Sequence, residues 1–167
     1  MRLYVASAFV NKFEVQKVQK ALRKDRHTIT HDWTKESADH LEAGSKEFFE
    51  YLYKCGDADF FGVLNADALV VVAHPAMSDT KAELGIALGA GIPVYVLWPE
   101  RRQCVFYGRT TRYTGERALT NVRRSLKVRE RQLHIGWCGK PDYAVHMPAV
   151  FKATGNRPPF ITAGNRK

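Results

Sequence analysis

The chain has 167 residues, 45% of them hydrophobic, which suits one ordinary globular domain with a sizeable core. No apolar run approaches the roughly 20 residues of a membrane span, and Met1-Arg2 leads straight into a short strand, so a cytoplasmic protein without membrane contact is expected. The net charge of +9 points to an anionic partner, while Cys55, Cys104 and Cys138, widely spaced and without a CxxC pair, argue against a disulfide framework and a zinc site.

The first predicted strand is Leu3 to Ala6, followed by the small-residue loop Ser7-Ala8-Phe9-Val10-Asn11. A helix follows over Lys12–Lys24, with Val15, Val18 and Leu22 on one face at helical spacing. His27 to Trp33 alternates like a strand. Between Lys35 and Asn65 the pattern reads mostly as helix. Phe48, Phe49, Tyr51, Leu52 and Tyr53 form a packing cluster there, Cys55-Gly56-Asp57 a break, and Ala58–Leu64 a short second helix.

Val70, Val71 and Val72 are a β-branched run without polar alternation, the signature of a strand buried on both faces of a parallel sheet. Asp79 or Thr80 suits an N-cap, Ala82 to Ala90 a helix, Gly91 its stop, and Pro93 to Leu97 the returning strand. The alternation predicts a doubly wound (Rossmann-like or flavodoxin-like) α/β domain over residues 1–99. It has a parallel sheet of about five strands and helices on both faces. Residues 100–167 read as a basic C-terminal extension that packs on the core or on a neighbouring subunit. Within it Glu116 to Leu133 suits a basic helix, rich in arginine, whose simplest use is a solvated face.

Ligands bind such sheets at the carboxyl ends of the strands, which puts the loop His74–Thr80 and the turn holding Glu83 where chemistry belongs. The first loop lacks GxGxxG and no GxxxxGK[ST] occurs, so no nucleotide cofactor and no metal are expected. Two carboxylates remain: Asp59, ahead of the third strand, and Glu83, 24 positions later and just beyond it. Two carboxyls in unlike environments suit glycosidic chemistry. Each also has a plainer use. Thr80-Lys81-Ala82-Glu83 matches a capping box, in which Glu83 would only reach back to the Thr80 N–H. Asp59 would favour a helix start, and His74 is a strand-end histidine that could donate to a ligand.

Tyr4-Val5-Ala6-Ser7-Ala8-Phe9, Asp32-Trp33-Thr34, Asp59 with Gly62-Val63 and Ala66-Asp67, and above all Ala82-Glu83-Leu84-Gly85-Ile86-Ala87 together resemble the nucleoside 2-deoxyribosyltransferase family. That family is similar in fold to the 2'-deoxynucleoside 5'-monophosphate N-glycosidases. The resemblance covers about Arg2 to Pro99. It implies that Glu83 is the nucleophile of a covalent deoxyribosyl intermediate and must stay ionised, that Asp59 transfers the proton at the base, and that Tyr4 positions Glu83.

Where the N-glycosidases hold phosphate, this chain offers Ser7, Ala8, Phe9, Ser78, Asp79 and Thr80. The Asp79 charge favours an unphosphorylated nucleoside or a sugar hydroxyl, although Ser7, Ser78 and the amides at Thr80 suit an anion. Implied partners are a nucleoside or nucleotide, a free nucleobase acceptor, and a second subunit in a homodimer or higher oligomer. Trp98, Phe106, Trp137, Tyr143 and Met147 are candidates for stacking on the base. A hydrolase that passes the sugar to water, and a non-catalytic domain binding nucleotide or nucleic acid, are the competing readings.

Overall fold

A computed structural model describes residues 1–98 and 108–134. The strands are β1 (Arg2–Ala6), β2 (Thr28–Ile29), β3 (Ala68–Val72), β4 (Val94–Leu97) and β5 (Thr111–Tyr113). The α-helices are α1 (Lys12–Lys24), α2 (Lys46–Leu64), α3 (Thr80–Gly89) and α4 (Ala118–His134). All strand pairings are parallel, in the order β2-β1-β3-β4-β5. This is the flavodoxin-like order of the doubly wound fold, with its topological switch point between β1 and β3.

β3 and β4 are buried along their whole length, as their unalternating apolar sequences require. α2 and α3 pack together on one face of the sheet. On the other face, the end of α1 is tied to α4 by Asp25, which accepts from Arg123 Nε and Nη2 at 2.5 and 2.9 Å. Val15, Val18 and Leu22 of α1 and Ala118, Val122 and Leu126 of α4 complete that half of the core. No helix among the described residues is long and apolar enough to cross a membrane.

Several elements differ from the sequence expectation. β2 is confined to Thr28–Ile29 at the sheet edge; the chain then turns into a short 3-10 segment at Trp33–Lys35, where Trp33 Nε1 donates to Val5 O at 2.8 Å. α2 is one continuous helix, capped by Ser45 Oγ accepting from Phe48 N–H, and it runs through Cys55-Gly56-Asp57 without a break. One exposed glycine costs a helix about 1 kcal/mol against alanine, too little to interrupt five turns. The residues before Ser45 are irregular rather than helical. Residues 108–134, placed by the sequence in an extension, supply β5 and α4 to the same sheet.

α3 ends on Gly91, whose φ of 68° is the left-handed geometry that glycine adopts freely. Its N–H and that of Ile92 satisfy the carbonyls of Leu88 and Ala87, and the chain turns directly into β4.

Candidate active site

Tyr4 lies in the middle of β1, fully buried, with its ring against α2. Gly62 makes that approach possible: a Cβ at this position would stand 2.9 Å from two Tyr4 ring carbons and 2.8 Å from His31 Cβ. One turn earlier on α2, Asp59 Oδ1 lies 2.5 Å from the Tyr4 hydroxyl, and Glu83 Oε1, from the first turn of α3, lies 2.6 Å from it. Three elements far apart in sequence thus converge on one phenolic oxygen beside the switch point.

The direction of Glu83 separates its two sequence readings. Asp79, the N-cap of α3, is itself in helical conformation and makes no side-chain capping bond. Backbone carbonyls serve the first turn, with Ser78 O accepting from Lys81 N–H and Asp79 O from the N–H groups of Ala82 and Glu83. Glu83 points to Tyr4, so the capping box does not form.

Burial raises the Glu83 pKa to about 8; the hydrogen bond between Glu83 and Tyr4 opposes the rise, and the charges of Asp59 and Asp79 add to it. The unliganded chain therefore holds this carboxyl largely protonated at neutral pH, which differs from the expectation of an ionised group. Burial also raises Asp59, against the hydrogen bond from Tyr4 and the nearby His31. Burial and the two carboxylates push the Tyr4 phenol above its ordinary value.

His31 and Glu36 were missed in the sequence. His31 Nε2 is 2.9 Å from Glu36 Oε1 and 3.6 Å from Asp59 Oδ1, so an imidazole stands between two carboxyls on the outer side of Asp59. His31 had merged into an expected strand, and the only available signal was its position five residues ahead of an acid.

At the start of α3, the helix that carries Glu83, a cavity of about 160 Å³ is lined by Ser7, Ala8, Phe9, Val10, Ala76, Ser78, Asp79 and Thr80. That is room for a sugar-sized fragment rather than a whole nucleoside. Ser78 and Asp79 present exposed side chains, and the buried Thr80 Oγ1 has no hydrogen-bond partner among the described residues. Ser7 is already engaged: its hydroxyl donates to Val72 O at 2.7 Å and accepts from Asn11 Nδ2 at 2.9 Å. Phe9 is an exposed lip, 6.3 Å from the Trp33 ring centroid and with Lys12 Nζ over its face. His74 is turned into its own loop, its Nδ1 accepting from Ala76 N–H at 3.2 Å.

Trp98 is tied down as well, donating through Nε1 to Gly115 O at 3.1 Å. The remaining stacking candidates, Phe106, Trp137, Tyr143 and Met147, lie outside the described residues. No cluster of three or more His, Cys, Asp or Glu side chains among the described residues is arranged to hold a metal.

No family model matches the chain, and no curated protein matches it significantly. Among solved structures it superposes on the 2-deoxyribosyltransferase of the psychrotolerant bacterium Bacillus psychrosaccharolyticus. The TM-score is 0.54 at 22% identity, over 74% of this chain and 90% of that one. The fold is that of a 2-deoxyribosyltransferase. A CMP N-glycosidase of Clostridium botulinum is also similar, with a TM-score of 0.46 at 14% identity, over 77% of this chain and 99% of that one. In this deoxyribosyltransferase fold the resembling segments around Tyr4, Asp59 and Glu83 come from β1, α2 and α3, and these side chains meet.

Proposed function

We propose that the chain cleaves the N-glycosidic bond of a 2'-deoxynucleoside through a covalent deoxyribosyl intermediate on Glu83 and passes the sugar to another nucleobase. The observation that carries this reading is the single Tyr4 hydroxyl touching both Asp59 and Glu83. Laid end to end, the two bonds keep the bonded carboxyl oxygens within about 5 Å of each other. That upper limit is short of the roughly 6.5–9.5 Å that leaves room for an intervening water between the two carboxyls. Glu83 attacks the anomeric carbon and Asp59 serves the departing base.

The sugar sits towards the cavity, where Ser78, Asp79 and the Thr80 hydroxyl receive its hydroxyls. A phosphate there would meet the Asp79 charge, a repulsion of about 1 kcal/mol even at solvent-like dielectric, so the favoured substrate is unphosphorylated. The unpartnered Thr80 Oγ1 at the start of α3 favours one second reading, an N-glycosidase that seats a 5'-monophosphate and passes the sugar to water.

Incubation with deoxynucleosides and their monophosphates, with and without a free acceptor base, tests both readings. Base exchange that requires the acceptor supports the transferase; free sugar without it supports the hydrolase. Glu83→Ala is expected to lower base release by about 10³-fold or more while the protein stays folded, and Asp59→Asn by about 10²–10⁴-fold. Chromatography of the products reads both, and unchanged turnover in Glu83→Ala removes the mechanism.

A further inference from the structure

A phenolic hydroxyl carries one proton, and its oxygen can both donate and accept. The Tyr4 oxygen stands 2.5 Å from a carboxyl oxygen of Asp59 and 2.6 Å from one of Glu83. Two hydrogen bonds of these lengths through one oxygen require that Tyr4 donates to one carboxyl and accepts from the other. The carboxyl that donates must be a neutral acid. The trio therefore holds one proton more than a phenol between two carboxylates would.

The surroundings place that proton. The charges acting on Glu83 are those of Asp59 and Asp79, both negative. Asp59 faces Glu36 and Asp79 as well, but it also has His31 at 3.6 Å. At rest Glu83 is accordingly the acid, donating to the Tyr4 oxygen, while the Tyr4 proton is donated to the Asp59 carboxylate.

From this geometry we propose that Tyr4 is the proton conduit between the two carboxyls, so that the proton Glu83 gives up on attacking the sugar is the one the departing base receives. The traffic rests on the deoxynucleoside reading above, whereas the proton count does not. As the Glu83 oxygen bonds to the anomeric carbon, its proton moves to the Tyr4 oxygen and the Tyr4 proton to Asp59. Asp59 in turn protonates the base nitrogen, which keeps the electron pair of the broken C–N bond. Glu83 acid and nucleoside become glycosyl ester and neutral base, Asp59 ends as it began, and no solvent proton is consumed. When an acceptor base arrives, the same path runs backwards and returns the proton to Glu83.

Infrared spectroscopy of the full chain at pH 7 is expected to show one protonated carboxyl that Glu83→Gln removes. Absence of that band in the wild type, or its persistence in Glu83→Gln, overturns the proton count. Tyr4→Phe is then compared on a purine deoxynucleoside and on 4-nitrophenyl 2-deoxyriboside, whose leaving group departs without a proton. The expected loss on the nucleoside is about 100-fold or more at every pH. On the nitrophenyl compound, activity returns as rising pH ionises Glu83 through solvent. Equal losses on both substrates across the range reduce Tyr4 to a positioning residue and overturn the conduit. A wild type that shows the band but releases no base from any deoxynucleoside removes the substrate reading and the traffic with it, leaving the shared proton in place.

Discussion

Glu83 is held where a carboxylate is expensive, among apolar walls and beside two other acids, and that cost has a signature in the pH dependence of stability. Its pKa in the folded chain, about 8, lies above the ordinary value of 4.5, so the native state keeps this proton to higher pH than the unfolded chain does. The penalty is absent below about pH 4.5, grows up to about pH 8 and is complete above it. Glu83→Gln, which needs no ionisation, is expected to gain denaturant resistance over the wild type across that window and to hold the gain at higher pH. Urea midpoints from pH 4 to 10 read the difference, and a constant offset would contradict the burial argument. Tyr4, Asp59 and Glu83 were legible in the sequence because each sits in a short run that resembles known enzymes. His31 and Glu36 were not, because their pairing depends on where the chain turns after Ile29, and no local pattern encodes that.

Among the elements, α2 is the one whose sequence misled. Its aromatic run suggested packing, yet Phe49, Leu52 and Tyr53 are exposed, and only Gly62 and Val63 are buried. What α2 gives the site is proximity: Gly62 lets the helix lie against the Tyr4 ring and so carries Asp59 within reach of the hydroxyl. Gly62→Ala would force contacts below 3.0 Å with both Tyr4 and His31. The expected result is a stability loss of about 1–3 kcal/mol from overpacking, together with a fall in base release on the order of 100-fold from misplacement of the hydroxyl. Denaturation and turnover measured on one preparation check both, and a loss of stability alone would mean that the ring moves without its oxygen. β5 escaped the sequence reading for another reason: Thr111-Arg112-Tyr113 is too short and too polar to declare itself, and it is a strand because β4 offers an edge.

At the scale of the whole molecule, the parallel doubly wound sheet was legible from buried β-branched runs alternating with amphipathic helices, whereas its strand order, which sets the switch point between β1 and β3, was left open between the Rossmann-like and flavodoxin-like arrangements. Part of the late basic charge is absorbed by architecture, since Arg123 and Lys127 both pair with Asp25. The exposed stripe Phe49, Leu52 and Tyr53, with Tyr53 70% exposed, is flanked on α2 by Lys46, Glu47, Glu50, Lys54 and Asp57. A rim of mixed sign lets two copies of this face meet without the repulsion that a charge of +9 imposes elsewhere. A homodimer through this face is a prediction: sedimentation should give a dimer for the wild type and a monomer for Phe49→Ser combined with Tyr53→Ser. A monomeric wild type would contradict the assignment.

The Ser7 hydroxyl, bonded to the Val72 carbonyl, makes the two walls of the crevice unequal. One wall is stapled to the sheet, and altering it loosens the strands that carry Tyr4. The other, Ser78 and Asp79, carries exposed side chains without such a staple among the described residues. Retuning the proposed activity towards other sugars or towards nucleotides is therefore a problem for one wall, and a library built on Ser78 and Asp79 would explore substrate range without spending the stability of the fold.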